Sequence, residues 1–255
     1  MNSFPKLFTL ALSCTLATAL LSLPAAAADG PATSAPRVAF DGNTKNNSLT
    51  LSPDESTAVV SYSERGDIIV YDLKTNTVRD ALNGYVTPRN IVFAPDGKAF
   101  YVSDSSRGEV VKSDSATLKP LAQIAAGPGA FGTAINKDGS TLYVNSQASS
   151  AVTRFDTAST QARAVITGFA QPRQGVRLSP DGAKLYVTNF LGDKVTIVDT
   201  KTDKIKGEIT GFSKIRAISA TADGNTLFAA NSGTNKHCRR EHCQARNPEH
   251  RARGQ

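Results

Sequence analysis

Five aspartates divide the chain at almost constant intervals. Asp54, Asp96, Asp138, Asp181 and Asp223 fall 42, 42, 43 and 42 residues apart, and Asp72, Asp114, Asp156 and Asp199 each follow 18 residues behind the first four. The clearest unit runs from Val176 to Thr210. Leu178 leads into Ser179-Pro180-Asp181-Gly182, where proline presets one turn dihedral and glycine accepts a positive one. Lys184–Phe190, Lys194–Thr200 and Lys204–Thr210 then alternate apolar with polar residues, separated by Leu191-Gly192-Asp193 and Lys201-Thr202-Asp203. Period two, β-branched residues and polar bounds read as four antiparallel strands. A four-strand unit repeated at this period is the signature of a propeller blade. The expected fold class is therefore all-β: a β-propeller of four-stranded blades with four full blades, a partial fifth and an incomplete ring. Units begin near Leu49, Ile91, Ala134, Val176 and Ile218.

Between the paired aspartates lie Phe100-Tyr101-Val102-Ser103, Leu142-Tyr143-Val144-Asn145, Leu185-Tyr186-Val187-Thr188-Asn189 and Leu227-Phe228-Ala229-Ala230-Asn231. Tyr186-Val187-Thr188-Asn189 is the tetrapeptide that names the YVTN-type β-propeller repeat, which residues 37–235 resemble. The resemblance implies a ring that closes with about seven blades, more than this chain carries. It implies no cofactor and names no ligand.

The amino-terminal segment points to export. Residues 1–28 carry Lys6, an apolar run from Leu7 to Leu23, Pro24 and a small-residue site ending at Ala28, as a cleavable signal peptide does. A membrane anchor is the competing reading, but Ser13, Thr15, Thr18 and Ser22 dilute the run. The expected location is periplasmic or secreted, with no transmembrane anchor after cleavage. Residues 29–36 read as a linker. Arg37–Asp41 reads as an outermost strand without a blade of its own: it completes the final blade, as such strands commonly do in ring propellers, or it is a frayed lead-in.

The formal charge of +7 suggests an anionic partner until it is mapped. From Asp29 to Asn235 there are 22 basic and 20 acidic residues, so the excess lies mostly in the last twenty. Within the repeats the informative charges are phased. Arg89, Arg173 and Arg216 each fall 35 residues after a turn aspartate, and Phe131 holds that phase in the remaining unit. They sit just before the innermost strand, on the ring face where second-to-third-strand loops should also open. Guanidinium groups converging there suit a carboxylate, a phosphate or a nucleic-acid backbone. Arg65 and Arg107 share a phase in the second-to-third-strand loops and would extend that surface. The alternative is that these arginines brace adjacent blades through main-chain carbonyls.

Signals for catalysis are sparse. No histidine precedes His237, so the blades offer no histidine-based triad or histidine metal site. Gly127-Pro128-Gly129 lacks the helix a phosphate-cradling loop needs, and turn geometry accounts for most aspartates. The expected function is an exported, non-enzymatic binding protein whose partner is an anionic small molecule, a nucleic acid or a protein. The alternative is a propeller enzyme or redox accessory, lactonase-like or quinoprotein-like.

Residues 236–255 abandon the pattern. They hold all three histidines, Cys238, Cys243 and no Val, Ile, Leu or aromatic residue, where the repeat calls for a third strand. His237, Cys238, His242 and Cys243 could ligate zinc or copper, though adjacent pairs depart from the usual spaced zinc pattern. Two other readings stay open: a natural disordered tail, or one translated in a shifted frame. A one-base shift permits Ser-Ile-Ala-Val-Val-Asn-Thr, matching the pattern of Lys194–Thr200.

Overall fold

The computed structural model describes residues 33–34, as backbone, and 48–233. Every regular element among them is a strand. The first blade comprises β2 (Ser48–Leu51), β3 (Thr57–Tyr62), β4 (Asp67–Asp72) and β5 (Thr77–Leu82), with β1 (Thr33–Ser34) added at its outer edge. The second is β6 (Pro88–Phe93), β7 (Ala99–Asp104), β8 (Glu109–Asp114) and β9 (Pro120–Ala125). The third is β10 (Ala130–Ile135), β11 (Thr141–Ser146), β12 (Ala151–Asp156) and β13 (Ala162–Ile166). The fourth is β14 (Pro172–Leu178), β15 (Lys184–Asn189), β16 (Lys194–Asp199) and β17 (Lys204–Ile209). A two-stranded sheet of β18 (Ile215–Ala220) and β19 (Leu227–Asn231) begins the fifth. All pairings are antiparallel, and the first strands of successive blades lie beside one another. This is a β-propeller of four blades and part of a fifth, with the ring open.

The turn aspartates act locally, which is why the repeat keeps them. Asp181 Oδ1 accepts the Ala183 amide at 3.0 Å and the Ser179 hydroxyl at 2.5 Å, closing the turn before β15. Asp199 Oδ1 accepts the amides of Lys201 and Thr202 at 3.0 and 2.9 Å, closing the turn before β17. Gly182, at φ +72°, takes the left-handed position. The same contacts depress the carboxylates: hydrogen bonds from Ser52 and then Ser56 hold Asp54 at about 2.

The core lies between blades. Four apolar clusters fill the four junctions. Within the motif, Tyr101, Tyr143 and Tyr186 pack toward the following blade, while Val102, Val144 and Val187 pack toward the preceding one. Period-two alternation on strands buried on both faces produces that division. The open ends show what a missing neighbour costs. Leu49 is 59% exposed where its repeat-mates Ile91 and Val176 are 4% and 0%, and Phe228 is 45% exposed where Tyr186 is 6%.

Residues 37–41, expected as an outermost strand, lie outside the described residues. Just upstream, β1 pairs with β5 through Thr33↔Leu82 and Ser34↔Ala81, on the first blade's own outer edge.

Candidate functional site

The inner strands β6, β10, β14 and β18 each enter their blades through a bulge, and the phased residues occupy it. Between Pro88 and Ile91 the register shifts, so that Arg89 and Asn90 stand opposite Ser103 alone. Phe131 and Gly132 stand opposite Asn145 in the third blade. Arg173, Gln174 and Gly175 stand opposite Thr188 in the fourth. In the fifth, Arg216 is the extra residue between Ile215 and Ala217. A bulge bends its strand and re-aims the side chains it carries.

The motif's third and fourth residues hold these entries in place. Ser61 Oγ donates to the Arg89 carbonyl at 3.1 Å, Ser103 Oγ to that of Phe131 at 2.5 Å, and Asn145 Nδ2 to that of Arg173. Each latch spans 28 residues and joins a blade to the next. The following residue secures its own blade's entry loop. Asp104 accepts the amides of Val86 and Thr87 at 2.7 and 3.1 Å, Asn189 that of Ala170 at 2.7 Å, and Asn231 that of Ser213 at 2.7 Å. The two loop sets are also tied directly, since the Ser105 amide donates to the Thr87 carbonyl and the Phe190 amide to that of Gln171. Both sets therefore share one face.

At that face the arginines rest on aromatic rings. The Arg89 guanidinium carbon lies 4.9 Å from the Phe131 ring centroid, and its Nε donates to Ser105 Oγ at 2.9 Å. Arg173 lies 3.9 Å from the Phe190 centroid and Arg216 5.5 Å from the same ring. Burial holds the Arg173 guanidinium below the ordinary arginine range, and the charges of Arg216 and Arg89 push it further down. Arg173 thus feels the charge of both of the other arginines. Among the described residues, none of the three guanidiniums donates to a main-chain carbonyl and no carboxylate pairs with Arg173 or Arg216; Arg173 Nε is buried without a partner. The bracing at these positions comes from their carbonyls.

Arg65 and Arg107 behave differently. Arg65 pairs with Asp67 at 2.9 Å and Arg107 with Glu109 at 3.3 Å, each two residues ahead on its own third strand. Phe190 was not foreseen in the sequence. Its signal is a ring at a phase otherwise held by Ser63, Ser105, Gln147 and Ser232. Among the described residues no group of three or more His, Cys, Asp or Glu side chains is placed to hold a metal ion. His237, Cys238, His242 and Cys243 lie outside them.

Blades joined through their inner strands, with a loop face gathered over them, define a β-propeller. The chain belongs to the lactonase, seven-bladed β-propeller family, whose model matches residues 42–219. Hydrazine synthase of Kuenenia stuttgartiensis is similar in structure, with a TM-score of 0.68 and 24% identity over 77% of this chain and 58% of that one. A functionally unknown protein from Desulfotomaculum acetoxidans DSM 771 gives a TM-score of 0.66 and 16% identity over 75% and 64% of the two chains. The chain spans about three fifths of the length of these structures, and the likeness is one of fold. No curated protein matches the sequence.

Proposed function

We propose that this protein is an exported binding propeller that takes a small anionic ligand on its loop face, through Arg89, Arg173 and Arg216 presented on Phe131 and Phe190. One contrast carries the reading. Arg65 and Arg107 are each neutralised by a neighbouring carboxylate, whereas Arg173 and Arg216 are held by an aromatic ring and have no carboxylate partner among the described residues. A cation–π contact orients a guanidinium while leaving its charge unspent and N–H groups available for an oxyanion. The near-neutral balance of residues 29–235 favours a small anion over a nucleic-acid backbone, which needs an extended basic track. The YVTN-type reading of the repeats draws support from the latch and clamp roles of the motif's last two residues.

The test is calorimetric titration of the purified full chain with small carboxylates and phosphate compounds at low salt. Binding that disappears in the triple variant Arg89→Gln, Arg173→Gln, Arg216→Gln supports the reading; no binding by the unaltered chain refutes it. Family membership favours a second reading, a lactone hydrolase using the same face. Turnover of anionic lactones by the unaltered chain would establish that instead. Export through residues 1–28 is checked by the mass of the mature protein, expected to begin at Asp29. Sequencing the gene across the Asn235 and Lys236 codons tests the shifted-frame reading of residues 236–255.

A further inference from the structure

The spacing of turn aspartates is 42 residues except once, from Asp138 to Asp181, where it is 43. The structure locates the extra residue. The bulges of β6 and β10 set two residues against one, and that of β14 sets three against one. Counted forward from the preceding turn aspartate, Arg173 corresponds to Phe131 and Arg89; counted back from the following one, Gly175 corresponds to Gly132 and Asn90, which leaves Gln174 as the insertion.

Among the described residues this junction combines a close glycine contact, which Gly132 also makes in the third blade, with a motif hydroxyl and an arginine Nε that are both buried and unpartnered. Gly175 comes so near Thr188 that a Cβ there would overlap Thr188 Cγ2 and Oγ1. By the repeat, Thr188 should latch the carbonyl of Arg216, 28 residues on, as Ser61, Ser103 and Asn145 latch theirs. Its buried Oγ1 instead has no partner. Arg173, at the shoulder of the widened bulge, has a buried Nε without a partner and lies over Phe190, which Arg216 also approaches. Buried polar atoms are nearly always paired, and departures from an internal repeat that leave them unpaired concentrate at functional sites.

We infer that the Gln174 insertion converts the fourth blade's inner corner into the oxyanion subsite, with Arg173 and Arg216 ranged on the Phe190 ring to hold one carboxylate or phosphate group. The inference rests on the anion-binding reading and narrows it: Arg89, on its own ring, adds charge to the face without being the principal contact. The widened bulge is a positioning device, and Gly175 is required because no side chain fits beneath Thr188.

Calorimetry on the full chain with sodium phosphate and with sodium acetate tests this. Deleting Gln174 restores the two-residue bulge and should weaken both anions about tenfold or more, while the circular dichroism spectrum is retained. Arg173→Lys keeps the charge but loses the guanidinium plane over Phe190 and its fork of donors, and should weaken binding similarly; it carries the test alone if the deletion does not fold. Arg89→Gln should weaken binding less, by about threefold, as expected of a charge acting at a distance. Tighter binding of phosphate, or of acetate, identifies which group the subsite favours, and either supports it. Unchanged binding in both the deletion and Arg173→Lys, or a larger loss in Arg89→Gln, overturns the inference while leaving the anion-binding reading intact. No binding by the unaltered chain overturns both.

Discussion

The Arg173 guanidinium carbon sits 3.9 Å from the centre of the Phe190 ring, the closest of the cation–aromatic contacts in the described structure. The ring therefore orients a charge that no carboxylate among the described residues neutralises. Phe190→Leu preserves apolar bulk and removes the π face, a loss of about 0.5–1 kcal/mol of orientation. Phosphate affinity should fall about threefold in calorimetry, with thermal stability close to that of the parent protein. An unchanged affinity would show that the ring is packing only.

Asn145 and Thr188 hold the same motif position but contrasting bonds. Asn145 accepts the Gly132 amide at 2.9 Å and donates to the Arg173 carbonyl, whereas Thr188 Oγ1 has no partner. Asn145→Ala should cost about 2–4 kcal/mol in urea unfolding, because two buried backbone groups lose their partners. Thr188→Val should be neutral or stabilising by up to about 1 kcal/mol, since it deletes an unpaired hydroxyl. A large loss from Thr188→Val would reveal a hydrogen bond the structure does not contain.

Acid should unfold the protein through its turns. Asp54 is held at about 2, and Asp138, Asp181 and Asp223 are also depressed, each by a side-chain hydrogen bond first. A carboxylate whose folded pKa lies below its unfolded value stabilises the fold above the unfolded value, about 3.9. That contribution is lost as pH falls through the folded value. The thermal midpoint should thus be insensitive to these groups at neutral pH and drop between about pH 4 and pH 2. The quadruple Asp→Ala variant at these positions should be less stable at pH 7 and show a flatter acid limb.

The two ends of the open ring should govern solubility. Replacing exposed Leu49 and Phe228 by Lys should leave the unfolding midpoint nearly unchanged and reduce self-association in light scattering. Ile91→Lys, at the same phase as Leu49 but 4% exposed, should prevent folding. Equal effects at Leu49 and Ile91 would mean that the first blade's inner face is covered in solution.

Much of the fold was legible because its determinants are local. Turn chemistry at Asp181 and Asp199, alternation in Lys194–Thr200 and the 42-residue step require no knowledge of distant contacts. The pairing of β1 with β5 was not legible, since an edge strand of two residues carries no pattern that selects one blade over another. The phased arginines were visible as a set, but their unlike fates were not. Whether a guanidinium meets Asp67 or Phe190 depends on side-chain direction at a bulge, which spacing alone leaves undetermined. The single 43-residue step was in plain view, and the strand register confined it to Arg173–Gly175, where the repeat phase then singles out Gln174.

The latches all point one way along the chain. Ser61 holds Arg89, Ser103 holds Phe131 and Asn145 holds Arg173, each reaching from a finished blade to the first strand of its successor. A blade thus inherits its alignment from the one before it and transmits alignment to the one after. During synthesis, the inner strands of the second, third and fourth blades each meet a donor already in position, so the structure can grow as an ordered series without waiting for the circle to close. Losing later blades strips a donor of its acceptor at one terminus only, and the upstream joints keep their bonds. The molecule is held as a directional stack, in which closure would seal an arrangement already set blade by blade.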